Sequence, residues 1–170
     1  ARKKDYGAAQ TTLESLGASL DRFPSAMFLL ANVYAVQGRN QQAESLLKKV
    51  IDLAPTSVSA RKQLAEVLLR RNDAAGALNV LQPALKTAPN DAQLLALLGA
   101  ASMLSGNVEQ AESYYQKATS QAPGSEAAQT GLAFSHLAGG DIGLAAEGFE
   151  KAMAADPTAA RPAILLAITQ

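Results

Sequence analysis

The chain has no cysteine, no tryptophan and a single histidine. The lack of cysteine excludes disulfides, thiol catalysis and cysteine-ligated zinc, and it suits a reducing or an oxidising compartment equally. One histidine without cysteine offers none of the usual metal-ligand spacings, so neither a metal nor a cofactor is expected. Aromatic residues make up 5% of the chain, which argues against a β-rich core, because strands favour aromatic and β-branched side chains. Charged residues are 18%, below the usual share of about 25%. The 15 basic and 15 acidic groups cancel, whereas a polyanion binder is normally basic, so nucleic acid is not expected as a partner. The longest nearly apolar stretch, Leu94 to Leu104, is about half of the ~20 residues a membrane span needs, so this segment is not expected to insert in a membrane. Ala1-Arg2-Lys3-Lys4 leads into a polar stretch rather than the apolar region of a signal peptide. With no initiator methionine, the chain reads as a processed product or as a piece of something longer.

Alanine and leucine are abundant, at 36 and 24 of the 170 positions. Both lead the helix scale, and at 48% hydrophobic residues the chain can bury a sizeable core. The length suits one domain or a compact array of small repeats. Charge is unevenly spread. Residues 1–85 carry 11 basic and 7 acidic groups, net +4, and residues 86–170 carry 4 and 8, net −4. Counts this small scatter widely by chance; the sharper reading is a dipolar rod that could stack head to tail by charge steering.

A period of 34 residues runs through the chain. Pro55, Pro89, Pro123 and Pro157 obey it, as do Ala43, Ala77, Ala111 and Ala145. Leu30, Leu64, Leu98 and Leu132 recur, each followed by a small residue: Ala31, Ala65, Gly99 and Ala133. Gly38, Asn72, Gly106 and Gly140 mark a turn, and Leu47, Leu81, Tyr115 and Phe149 a bulky apolar position. Val50, Ala84, Ala118 and Ala152 mark a compact one. Each unit reads as two helices. Met27, Leu30, Ala31 and Tyr34 share one helical face, Gly38 ends that helix with a residue suited to positive φ, and Pro55 lies just past the second helix. First helices are expected near 24–37, 58–71, 92–105 and 126–139, and second helices near 40–53, 74–87, 108–121 and 142–155. Asn40, Asp73, Asn107 and Asp141 fall in the short turns, where their side chains can accept from backbone N–H groups. Pro83 falls inside a second helix, where it removes the bond to the Asn79 carbonyl. A local kink is expected there, with water on the freed carbonyl.

This pattern resembles the tetratricopeptide repeat. The likeness covers four units, 24–57, 58–91, 92–125 and 126–159. A second helix of a truncated unit precedes them at 5–20, with Ala9 and Leu13 in register, and a first helix of another follows at 160–170, with Leu166-Ala167 as the leucine-small pair. The whole of 1–170 is then a single array, and the resemblance implies an all-α, right-handed superhelical solenoid of antiparallel helix pairs. The family's tryptophan is replaced by Met27, Arg61, Leu95 and Gln129, and its later tyrosine survives only as Tyr34. The runs at residues 64–69, 77–85 and 165–170 resemble the tetratricopeptide-repeat lipoprotein of the bacterial PEP-CTERM/exosortase system. That resemblance implies a link to exopolysaccharide production and surface-protein sorting, and a periplasmic or outer-membrane-anchored location, with the cytoplasm as the alternative.

The resemblance further implies a concave groove lined by the first helices. Its residues would be Phe28, Leu29, Asn32 and Val36; Lys62, Gln63, Glu66, Leu69 and Arg70; Leu97, Ala100, Met103 and Leu104; and Thr130, Phe134 and Leu137. Ile164, Leu165 and Ile168 would continue the row. The groove is mostly apolar, with one charged band in the second unit. A carboxylate clamp for chaperone C-termini is disfavoured, because Phe28 stands where its first lysine belongs. No catalytic set is present: Ser135 and His136 are neighbours that diverge by about 100° on a helix, and Gly139-Gly140-Asp141-Ile142-Gly143 lacks the strand that a phosphate loop follows. The expected function is therefore a non-catalytic scaffold that binds a protein or peptide. The alternatives are a regulatory or substrate-presenting arm of a larger enzyme such as a glycosyltransferase, or a self-assembly module acting through the truncated terminal helices.

Overall fold

The computed structural model describes residues 6–155, together with 166, 167 and 169. Asp5, and most of the helix expected over 160–170 with Ile164, Leu165 and Ile168, lie outside the described residues. The described chain is helical throughout, without a strand. Helices α1 (Tyr6–Glu14), α2 (Pro24–Val36), α3 (Asn40–Leu53), α4 (Val58–Arg70) and α5 (Ala74–Leu81) are followed by α6 (Ala92–Leu104), α7 (Val108–Gln121), α8 (Glu126–Ala138) and α9 (Ile142–Ala155). Short 3₁₀ turns occupy Gly17–Arg22 and Gln82–Lys86.

The helix ends follow the turn chemistry. Gly38, Asn72, Gly106 and Gly140 all have positive φ, between 62° and 89°. Just beyond each, a backbone N–H reaches back into the preceding helix: Arg39 to Tyr34, Asp73 to Leu68, Asn107 to Ser102 and Asp141 to His136, each at 2.9 Å. This closure satisfies carbonyls that a helix end would otherwise leave open. The next helix starts at once, because Asp73 and Asn107 accept from Gly76 and Gln110 N–H groups. Ser57, Asp91 and Ser125 cap α4, α6 and α8 in the same way. Asn40 does not. It stands one residue later than Asp73 in the 34-residue register, inside α3, and its Oδ1 is buried without a hydrogen-bond partner. Arg39 holds the capping position, cannot accept, and lays its guanidinium 4.4 Å over the Tyr34 ring instead.

Consecutive helices pack against each other, and α2, α4, α6 and α8 also touch in sequence, so the first helices form a row. The core runs along the stack rather than round a centre. Ala43, Ala77, Ala111 and Ala145 are fully buried where the helices of each pair approach, and Leu47, Leu81 and Phe149 fill the space beside them. Small residues at the crossings and large ones between them give the interdigitated packing that interiors require.

The chain departs from the expected helices at Pro83. α5 stops at Leu81, and the remainder of the expected 74–87 helix winds as the 3₁₀ turn. Arg61, from the position where the family favours tryptophan, resolves the break. Its Nη1 donates to the Val80 carbonyl at 3.1 Å, and its Nε and Nη2 donate to the Pro55 carbonyl at 3.1 and 2.9 Å. A guanidinium therefore meets the Val80 carbonyl beside the break and ties it to the preceding loop.

Candidate functional site

The row of first helices opens a cleft of about 760 Å³ between α4, α6 and α8. Its walls are Glu66 from α4, then Gln93, Ala96, Leu97, Ala100, Met103 and Leu104 from α6, and Glu126, Ala127, Thr130, Gly131 and Phe134 from α8. Tyr115 of α7 reaches its floor. The cleft exists because of a side-chain exchange between helices. A Cβ at Gly131 would lie 2.2 Å from the Tyr115 ring, and one at Gly99 2.9 Å away. Both distances are too short for any side chain, so the ring enters only because α6 and α8 carry glycine there. The positions equivalent to Gly131 are Gln63 and Leu97 in the preceding units. The Tyr115 ring takes the place a side chain at 131 would start from and forms the floor of the cleft. Leu104 and Phe134 stay 42% and 44% exposed at the mouth.

Charge in the cleft is of one sign. Glu66 accepts from Gln93 Nε2 at 3.2 Å, and Glu126 accepts from Thr130 Oγ1 at 2.9 Å. No lysine or arginine lines the walls. Lys62 is drawn off instead, donating to Asp91 Oδ2 at 2.9 Å. Burial pushes the Asp91 carboxyl up, but Lys62 and the N–H groups of Leu94 and Gln93 outweigh it and hold Asp91 below the ordinary carboxylate range.

Seven expected groove residues meet here: Glu66, Leu97, Ala100, Met103, Leu104, Thr130 and Phe134. Asn32 and Val36 instead line a second cleft of about 500 Å³, with Tyr6, Ala9 and Leu13 of α1, Leu29 and Val33 of α2, and Gln63 of α4. Asn32 Oδ1 is buried there without a hydrogen-bond partner. Phe28, Leu69 and Leu137 line neither cleft. They are half-buried against the core, because their positions on the first helix point toward packed neighbours. Lys62 also lies outside both clefts, and Arg70 is exposed at the last turn of α4. The charged band expected from Lys62, Glu66 and Arg70 thus contributes only Glu66 to the cleft. The sequence reading missed Gln93, Glu126, Tyr115 and Gly131. The available signal was the loss of a side chain at 131 in register with Leu97, downstream of the only tyrosine in the bulky series.

α1 is fastened beside the second cleft by polar contacts. Tyr34 Oη donates to Glu14 Oε1 at 2.6 Å, and Gln37 Nε2 donates to Gln10 Oε1 at 2.9 Å. The Tyr34 hydroxyl, then Gln10, holds the Glu14 carboxyl below its ordinary value. Burial, and then Glu14, pushes the tyrosine up.

No constellation for chemistry assembles among the described residues. Ser135 is buried and donates to the Leu132 carbonyl at 2.7 Å, away from His136, whose Nδ1 lies 3.9 Å from Glu112 Oε1. No cluster of three histidine, aspartate or glutamate residues suited to a metal occurs among them either. No described helix is long and apolar enough to cross a membrane.

The same architecture recurs in solved structures. MamA (residues 41 to the end) from Desulfovibrio magneticus RS-1 superposes with a TM-score of 0.81 at 26% identity, over 94% of this chain and 90% of that one. TTC0263, a thermophilic TPR protein of Thermus thermophilus, gives 0.80 at 22% identity, over 96% and 90%. Among curated proteins, cellulose synthase operon protein C of Pseudomonas fluorescens (strain SBW25) is 30% identical over 167 residues. That match takes in 90% of this chain but only 13% of the relative's length. Tetratricopeptide-repeat family profiles match residues 2–58 and, in tandem, 36–101 and 102–168. With nearly its whole length matched by these profiles and its helices stacked in the same solenoid, the chain belongs to the tetratricopeptide repeat family.

Proposed function

We propose that this array is a non-catalytic interaction scaffold whose cleft between α4, α6 and α8 takes an apolar segment of a partner protein carrying a basic residue. Tetratricopeptide-repeat proteins are interaction scaffolds, and the observation that carries the reading here is the make-up of the cleft. Its walls are apolar, Leu104 and Phe134 stand open at its mouth, and Glu66 and Glu126 are the ionisable groups besides the floor tyrosine. Contiguous exposed apolar surface marks binding sites. A lysine or arginine beside an apolar stretch would meet the two carboxylates, which add steering and orientation more than raw affinity.

The setting we infer is bacterial exopolysaccharide production, supported by the likeness to cellulose synthase operon protein C. The narrower assignment to a lipoprotein of the PEP-CTERM/exosortase system rests on the sequence runs at 64–69, 77–85 and 165–170. The arm of a larger enzyme, such as a glycosyltransferase, is the second reading, favoured by the small share of the relative that this chain spans.

A peptide array tests the cleft. Apolar peptides flanked by lysine, by glutamate or by neither are probed with the chain, its Phe134→Ala variant and a Glu66→Gln, Glu126→Gln double variant. The lysine-flanked set should bind best, Phe134→Ala should weaken it, and the double variant should remove the preference for lysine. Equal binding of all three sets, or indifference to Phe134→Ala, would refute this site.

A further inference from the structure

Asp91 carries more charge than its place in the fold requires. The residues at its position in the neighbouring units are Ser57 and Ser125. Each caps its helix with a hydroxyl, accepting from the N–H of Ala60 and of Ala128 at 3.3 Å. Asp91 caps α6 with Oδ1, accepting from Leu94 N–H at 2.8 Å, and turns Oδ2 to Lys62 Nζ at 2.9 Å. A serine would supply the cap, so the second oxygen serves Lys62. That lysine is as singular in the register as its partner, since Phe28, Ala96 and Thr130 stand at its position in the other units. The side chains are 16% exposed for Lys62 and 26% for Asp91, so salt screens the pair less than a fully solvated one.

Lys62 has a second acid within reach. Glu66 lies four residues further along α4, one turn away on the same face, and lines the cleft between α4, α6 and α8. Neither Lys62 nor Asp91 is among the walls of that cleft. Lys62 is turned to Asp91, and Glu66 keeps a neutral partner, the Gln93 amide at 3.2 Å. Helical side chains lean toward the N-terminus of their helix, which turns Lys62 away from Glu66, and Asp91 holds it there.

We propose that Asp91 determines the specificity of this cleft. By holding Lys62 it keeps Glu66 open to a basic residue of the partner; without it Lys62 pairs with Glu66 and cancels that charge. Asp91 touches no ligand and acts as a positioning residue. The inference rests on the reading of the cleft as a seat for an apolar segment with a basic residue.

The flanked and unflanked peptide sets test it with Asp91→Ser, which keeps the hydroxyl cap found in the neighbouring units. Lysine-flanked peptides should lose about two- to fivefold of their advantage over unflanked ones, the scale of a partly exposed ion pair, so that Asp91→Ser matches Glu66→Gln. Binding of unflanked peptides should not change. Adding Lys62→Met to Asp91→Ser should restore the advantage, a recovery that a merely weakened cap would not give. A double-mutant cycle in urea, without peptide, gives an independent readout. Lys62→Met and Glu66→Gln should add in the parent and couple in the Asp91→Ser chain. An undiminished advantage in Asp91→Ser, no recovery with Lys62→Met, or no coupling in the Asp91→Ser chain would overturn the proposal. Equal binding of all three peptide sets by the parent would refute the reading of the cleft and with it the specificity role, while the urea cycle would still report whether Asp91 keeps Lys62 from Glu66.

Discussion

Two clefts open along the same row of first helices, and different residues hold them open. The central cleft is held by side-chain size. Gly131 and Gly99 admit the Tyr115 ring, which forms the floor between α6 and α8. The N-terminal cleft is held by position in the stack. Ala9 has the same residue type as the buried alanines of later units yet is exposed, and Leu13 is only half-buried against the core where Leu47 and Leu81 are fully buried. Residues of one register can thus make core or surface, depending on whether a helix lies across from them. An exposed apolar side chain in a solenoid is evidence of a ligand site only after stacking has been considered.

The difference can be broken by closing one cleft and leaving the other. Gly131→Leu restores the residue found at Leu97 but collides with the Tyr115 ring. Overpacking of this kind costs about 1–3 kcal/mol, so the denaturation midpoint should fall and peptide binding should be lost. Adding Tyr115→Leu should recover most of the stability, as measured by a double-mutant cycle. A Gly131→Leu chain that is as stable as the parent would show that the ring has room to move.

Arg61→Leu is the next largest effect expected. It removes the donor to the Pro55 and Val80 carbonyls and leaves at least one partly buried acceptor open, at a cost of about 1–3 kcal/mol. Amide exchange should quicken around the 3₁₀ turn at Gln82–Lys86 and leave α7 unchanged. Phe134→Ala should follow, weakening peptide binding by roughly 1 kcal/mol with no change in thermal stability.

The smallest effect is expected at the N-terminal cleft. Tyr34→Phe removes the hydroxyl that donates to Glu14, so exchange in α1 should quicken while the other helices keep their protection. Acid should act in the same place. The folded Glu14 carboxyl lies below its ordinary value, so its contribution is present above the unfolded value and is lost as pH falls through the folded one. Protection of α1 should therefore decline below the ordinary carboxylate range in the parent, and the decline should be shallower in Tyr34→Phe. Equal acid profiles would rule out the Tyr34–Glu14 contact as its cause.

The helix pairs were legible in the sequence because their causes are local. A glycine or asparagine suited to positive φ, a capping side chain and a 34-residue spacing each act within one or two turns of chain, and the first helices end within a residue of their expected ends. Asn40 misled because it lies one residue off the capping register, a shift that the spacing of the other caps already contained. Pro83 was legible as a disturbance, but its remedy was not: Arg61 lies far earlier in the chain and reaches the Val80 carbonyl only when α4 and α5 are side by side.

By itself, then, the sequence determined the all-α repeat, the bounds of the first helices and the faces that meet, but not where α1 and α5 end, since periodicity and turn chemistry are short-range properties of the chain. Only the tertiary structure decided where the row of first helices opens. That depends on whether a ring from α7 fits between α6 and α8, on Lys62 being drawn to Asp91 rather than toward the cleft, and on whether a helix lies opposite Ala9. Each of these is a matter of volume or charge between groups that the chain brings together only by stacking.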